Sequence, residues 1–131
     1  MRSRTPRGRA LALSVAAAVG VAAISGVATA TRSAKPPVTR TLRASGTALA
    51  FDKRALAAPA GRVRLVLRNG ASIRHNISIR GKGLRARRGR VVGKGGVSRV
   101  TVRLRPGKYT YFCSVQGHQA AGMRGTLRIR R

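Results

Sequence analysis

Acidic residues are almost missing from this chain: one of 131 residues, Asp52, carries a carboxylate, against 29 lysines and arginines. Any histidine base would therefore have no carboxylate other than Asp52 to orient it, and no oxyanion site is legible, so a hydrolytic Cys-His pair fits poorly. Cysteine occurs once, at Cys113, which excludes a disulfide within the chain; the thiol is unpaired, intermolecular or a ligand. Histidine occurs twice, at His75 and His118, and methionine once beyond the initiator, at Met123. After Ala30 no stretch keeps a helical period for more than two turns, apart from one short turn expected over Lys53–Ala60. The glycine- and arginine-rich stretch Gly81–Gly96 has no aromatic platform beside it, which argues against RNA binding there; no specific nucleic-acid partner is expected.

What is present begins with an export leader. Arg2, Arg4, Arg7 and Arg9 precede an apolar tract from Ala10 to about Val27, which ends in Ala28-Thr29-Ala30. Basic, apolar and small residues in that order read as a signal peptide over residues 1–30, with cleavage expected after Ala30. The alternative is an uncleaved anchor, because the tract approaches the length of a membrane span, although alanine makes it only weakly apolar. Export places the protein in the periplasm, outside the cell or at the cell envelope. Without the leader, 25 basic residues face one acid, a net charge of +24. A field of that sign draws acidic partners and anionic membrane surfaces.

Residues 31–45, with Pro36-Pro37 and no apolar period, suit a flexible linker, and residues 46–131 are left for one domain. Within that domain the chain alternates. Thr47–Phe51 starts the series, and Val63, Leu65 and Leu67 share one face of the next run. Asn69-Gly70 reads as a turn. Ile73–Arg80 places Ile73, His75, Ile77 and Ile79 on an inward face and Arg74, Asn76, Ser78 and Arg80 outward. Gly81–Gly96 reads as a long loop with a short strand at Val91-Val92. Val100, Val102 and Leu104 oppose Arg99, Thr101 and Arg103, Pro106-Gly107 turns the chain, and Lys108–Cys113 and Thr126–Arg130 complete the set. Short strands separated by turn signals predict an all-β sandwich with arginines on its outer faces.

Three chemically active side chains fall together in Cys113-Ser-Val-Gln-Gly-His118-Gln-Ala-Ala-Gly-Met123, and His75 lies about forty residues upstream. Taken singly, His75 reads as a hydrogen-bonded core histidine, Cys113 as a small buried hydrophobe and Met123 as core. Taken together they form a soft N/S set of two imidazoles, a thiolate and a weak thioether, which suits one copper ion cycling between two oxidation states. Structural zinc would not choose methionine, and a binuclear copper centre would need a second cysteine. Copper buffering or delivery would favour exposed Met- or His-rich tracts, which are absent. Adhesion to acidic polymers or membrane is a third reading, supported by the charge alone.

From about Thr47 to Arg131 the chain resembles the plastocyanin, azurin and auracyanin family of blue copper proteins, the cupredoxins. His75-Asn76 resembles the first ligand and the asparagine after it, Tyr109-Thr-Tyr-Phe-Cys113 the strand delivering the thiolate, and Gly117-His118 with Gly122-Met123-Arg-Gly125-Thr126-Leu127 the closing loop and last strand. Four residues separate Cys113 from His118, a spacing closer to azurin and auracyanin than to plastocyanin. The resemblance implies a Greek-key sandwich with copper near one end, held by His75, Cys113, His118 and Met123. It implies that Asn76 hydrogen-bonds across to the ligand loop, with Ser114 and Gly117 also around the ligands. The implied activity is one-electron transfer, not enzymatic turnover. His118 would be the electron port within a small patch of Gly117, Ala120, Ala121 and Gly122. Donor and acceptor proteins, acidic or membrane-associated, are the expected partners of a monomer.

Overall fold

The computed structural model describes residues 34–131 and Gly20. Apart from Gly20, the leader expected over 1–30, and its cleavage after Ala30, lie outside the described residues. Eight strands follow in order: β1 (Val38–Ala44), β2 (Ala55–Pro59), β3 (Gly61–Asn69), β4 (Ser78–Gly81), β5 (Leu84–Arg88), β6 (Val97–Leu104), β7 (Gly107–Phe112) and β8 (Arg124–Arg130). They form a three-stranded sheet in the order β1-β3-β6 and a five-stranded sheet in the order β2-β8-β7-β4-β5. The chain crosses between the sheets after β1, β2, β3, β5 and β6, which produces the expected all-β sandwich.

Alternation drives the layering. On β3 and β6 the β-branched and leucine positions Val63, Leu65, Leu67, Val100, Val102 and Leu104 are buried, and they meet Ile77, Ile79, Tyr109, Tyr111, Leu127 and Ile129 from the second sheet in one core. Among these, Tyr111 is fully buried and its hydroxyl donates to the Lys53 carbonyl at 2.6 Å, tying β7 to the segment before β2.

Several expectations are corrected. Residues 31–45 are not a linker throughout: β1 pairs in parallel with β3, from Val38 opposite Val63 to Ala44 opposite Asn69, and buries Leu42 and Ala44 completely or nearly so. The alternation of Thr-Arg-Thr-Leu-Arg-Ala had been masked by its small and basic residues, so the domain starts before residue 46. Thr47–Phe51 is turn and irregular chain, although Phe51 is buried. Lys53–Ala60 holds no helical turn; it contains β2, which pairs in parallel with β8. Gly81–Gly96 is not one loop, because β5 pairs with β4 inside it. Only Val92 of the expected short strand pairs, in an isolated bridge with His75. Finally, the run Ile73–Arg80 is a strand only from Ser78, where β4 begins. Ile73 is 39% exposed, and Asn76 and Ser78, expected to face outward, are buried.

Candidate metal centre

Two segments meet at one end of the sandwich. Strand β7 ends at Phe112, so Cys113 emerges at the sheet margin with its thiol buried. The chain then folds through residues 114–122 and returns as β8. Turn hydrogen bonds from His118 N to Val115 O (3.1 Å), Ala121 N to Gly117 O (3.0 Å) and Gly122 N to Gln119 O (3.1 Å) define the loop. Gly117 adopts φ 79°, in the left-handed region that favours glycine, and so turns the chain just before His118. The loop is closed at its base: Cys113 N–H donates to the Met123 carbonyl at 3.1 Å and Met123 N–H to the His118 carbonyl at 3.0 Å. Met123 itself is fully buried in the core with Cys113.

His75 arrives from the other side, on the segment between β3 and β4. Its backbone exchanges hydrogen bonds with Val92 at 2.8 and 3.1 Å. The arriving segment is anchored by Asn69, whose Nδ2 donates to the carbonyls of Ile73 (2.9 Å) and Val92 (3.0 Å) and whose Oδ1 accepts from Ala71 N–H (3.0 Å). The imidazole is fully buried.

These placements bring three donor atoms together. His75 Nδ1 lies 3.2 Å from His118 Nδ1, Cys113 Sγ lies 3.5 Å from His118 Nδ1, and Cys113 Sγ lies 3.9 Å from His75 Nδ1. A point equidistant from all three sits about 2.1 Å from each, the scale of metal–nitrogen and metal–thiolate bonds. Around them Asn76 works as a brace. Its Oδ1 accepts from Ser114 N–H at 2.8 Å, its Nδ2 donates to Ser114 Oγ at 2.7 Å and to the Gly89 carbonyl at 2.9 Å, and its backbone N–H points to Cys113 Sγ at 3.5 Å.

Residues 38–130 match the family described as copper binding proteins, plastocyanin/azurin family. The chain belongs to that family. As a cupredoxin it resembles auracyanin B at 28% identity, with 74% of this chain and 91% of that chain covered and a TM-score of 0.63. Against auracyanin A, a "blue" copper protein of the green thermophilic photosynthetic bacterium Chloroflexus aurantiacus, the identity is 25%, the coverage 72% of this chain and 100% of the other, and the TM-score 0.61. The dithionite-reduced auracyanin of Roseiflexus castenholzii shares the fold at 23% identity, with coverage of 74% and 100% and a TM-score of 0.61. No curated protein sequence matches.

The cofactor of this cupredoxin is one copper ion, and the residues suit it. Burial, and then the neighbouring His118, hold the His75 pKa below the ordinary histidine value, so the ring stays neutral and keeps a lone pair for a metal. Its Nε2 is buried with no hydrogen-bond partner, so no acceptor there stabilises the positive charge of a doubly protonated ring. With both rings carrying their proton on Nε2, the two Nδ1 lone pairs face each other at 3.2 Å, and a cation between them would relieve their repulsion. His118 is half-buried, while Gly117, Ala120 and Ala121 beside it are exposed, so this edge of the site reaches the surface as the resemblance implied.

Sequence reading missed part of the scaffold. In the sequence Asn69 reads only as a turn residue and Gly89 only as part of a loop. A Cβ on Gly89 would meet Ser98 Oγ at 2.6 Å and the carbonyls of Arg99 and Ile77 at 2.8 Å, so glycine is what lets the chain pass this close to Ile77, Ser98 and Arg99. The Asn-Gly pair at 69–70 gave a turn signal, but nothing local indicates the side chain's distant partner at Val92.

Proposed function

We propose that this cupredoxin is an exported one-electron carrier of the cell envelope, with copper held by His75, Cys113, His118 and Met123. The observation that carries the reading is the convergence of two imidazole nitrogens and one thiol on a single buried point, from segments tied together by Asn76. When bound, copper supplies reversible cycling between Cu(II) and Cu(I). The protein's part is rigidity: a loop closed at its base by Cys113–Met123 and Met123–His118 backbone bonds, and braced through Ser114, changes shape little with the charge on the site. His118 and the exposed Gly117, Ala120 and Ala121 offer the short path to a partner. Donor and acceptor proteins of acidic or membrane-associated character suit the cationic surface.

The test is a visible and EPR spectrum of the copper-loaded chain. A strong thiolate-to-copper absorption that bleaches on reduction, returns on oxidation and vanishes in Cys113→Ser supports the proposal. A colourless copper-loaded protein overturns it. Copper transfer to a chelated acceptor faster than electron exchange with small redox mediators would instead establish metal delivery.

A further inference from the structure

The outer face of the three-stranded sheet is cationic from end to end. Strand alternation turns Arg43 of β1, Arg62, Arg64 and Arg68 of β3, and Arg99 and Arg103 of β6 outward, all exposed except the half-buried Arg64. Register places like beside like: Arg62 stands directly opposite Arg103, and Arg68 directly opposite Arg43. Like charges in such cross-strand positions cost stability unless an anion lies over them. The one acidic side chain, Asp52, is near Arg43 alone of these six, and its carboxylate already accepts from Lys53 Nζ at 2.7 Å and Arg43 N–H at 2.8 Å, so the other five arginines have no acid of the chain. Threonines 39, 41 and 101 fill the gaps, with Arg64 Nε donating to Thr101 Oγ1 at 3.3 Å.

The layout of the charges selects the partner. They spread over three strands, roughly 10 Å across and 20 Å along at ordinary strand spacing and rise. A groove does run along the β6 edge beside β5, but of the six arginines it takes in only Arg99 and Arg103. A linear polyanion seated there would leave the other four unmet, whereas a plane of anions meets all of them. Of the apolar side chains on the face, Val66 is buried and Val97, opposite Arg68, is half-buried, so no large residue inserts and attachment is by charge. β1, an edge strand of this sheet, also begins about ten residues after the apolar leader tract.

We propose that this face seats the protein on an anionic lipid surface, with guanidinium groups against lipid phosphates. The face and the loop of residues 114–122 belong to different sheets and share no residue, so a seated protein keeps His118 open to redox partners. The inference rests on the arginine register and not on copper chemistry.

The experiment is co-sedimentation of the copper-loaded full chain with vesicles of phosphatidylcholine, with and without phosphatidylglycerol, at low and high salt. Two variants of equal net charge accompany it: Arg62, Arg64, Arg99 and Arg103 all changed to Thr, and Arg85, Arg87, Arg128 and Arg130 all changed to Thr. Any pull of the leader tract is common to all three proteins and to both vesicle types. The expected result is salt-sensitive binding that needs phosphatidylglycerol, falls about tenfold or more in the first variant and is largely kept in the second. Equal losses in both variants, no loss in the first, or capture by soluble polyphosphate but not by vesicles would each overturn the assignment. Should the first variant not fold, dicarbonyl labelling of the wild-type arginines with and without vesicles decides. Protection of Arg62, Arg64, Arg99 and Arg103 above the other arginines supports the face, and uniform protection refutes it. Failure here with an intact blue absorption would leave the electron-carrier reading untouched.

Discussion

Asn76 connects three segments that share no local sequence: the loop after the thiolate, the chain before β6 and the imidazole-bearing segment. Removing its side chain leaves the half-buried Ser114 N–H and Gly89 carbonyl without these partners. An orphaned buried group costs on the order of 1–3 kcal/mol, so Asn76→Ala should lower stability by about 2 kcal/mol in denaturant unfolding of the metal-free protein. The same substitution loosens the backbone N–H aimed at Cys113 Sγ, so the reduction potential should shift as well, as potentiometric titration would show. Ser114→Ala keeps the N–H to Oδ1 bond and should do less. An unchanged potential in Asn76→Ala would mean that the brace is structural only.

Tyr111 carries a pH signature at the same scale. Burial, and then the charge of Asp52, push its pKa from 10.0 up to about 12. Between those values the folded chain keeps a proton that the unfolded chain has lost. The stability this contributes is fully present below pH 10 and disappears as pH rises through about 12. Denaturant midpoints should therefore fall over that interval in the wild type, and fall less in Tyr111→Phe. The phenylalanine variant should also lose about 1 kcal/mol at neutral pH with the bond to the Lys53 carbonyl.

Among the elements, β1 separates a structural tract from a tether most sharply. Leu42 has no exposed surface and lies opposite Leu67 of β3. Cutting a buried leucine to alanine costs about 2–5 kcal/mol through lost burial and the cavity left behind. Leu42→Ala should show a loss in that range by urea unfolding, whereas the exposed Thr41→Ala on the same strand should be nearly neutral. Equal, negligible effects would return residues 38–44 to the status of linker. β2 makes the same point more weakly: Ala-Leu-Ala-Ala-Pro has little strand propensity, and it is extended because β8 supplies a partner along its whole length.

At the scale of the whole molecule, charge of one sign sets the response to salt. The described residues contain a single ion pair, Lys53 with Asp52 at 2.7 Å, and it is partly exposed. Added salt therefore has almost no attraction to weaken and a great deal of repulsion to screen. The melting temperature should rise with sodium chloride. A gain of about 1 kcal/mol corresponds to roughly 4–8 °C for a domain of this size. A melting temperature that falls with salt in differential scanning calorimetry would contradict this account of the surface.

Scarcity made the donor set legible without coordinates. With one cysteine, two histidines and one methionine beyond the initiator, no other combination of soft ligands exists in the chain, and the alternation of β3 and β6, broken only at Val66, leaves little but a β-sandwich. What only the tertiary structure decided is where weakly patterned segments belong. Val38–Ala44 and Ala55–Pro59 become strands because β3 and β8 run beside them. Asn76 and Ser78 are buried on the side that local alternation turns away from the core, Asn76 through its bonds to Ser114 and Gly89, and Asn69 finds Val92 across an intervening loop. Pairing and burial of that kind depend on partners distant in sequence, and local periodicity holds no information about them.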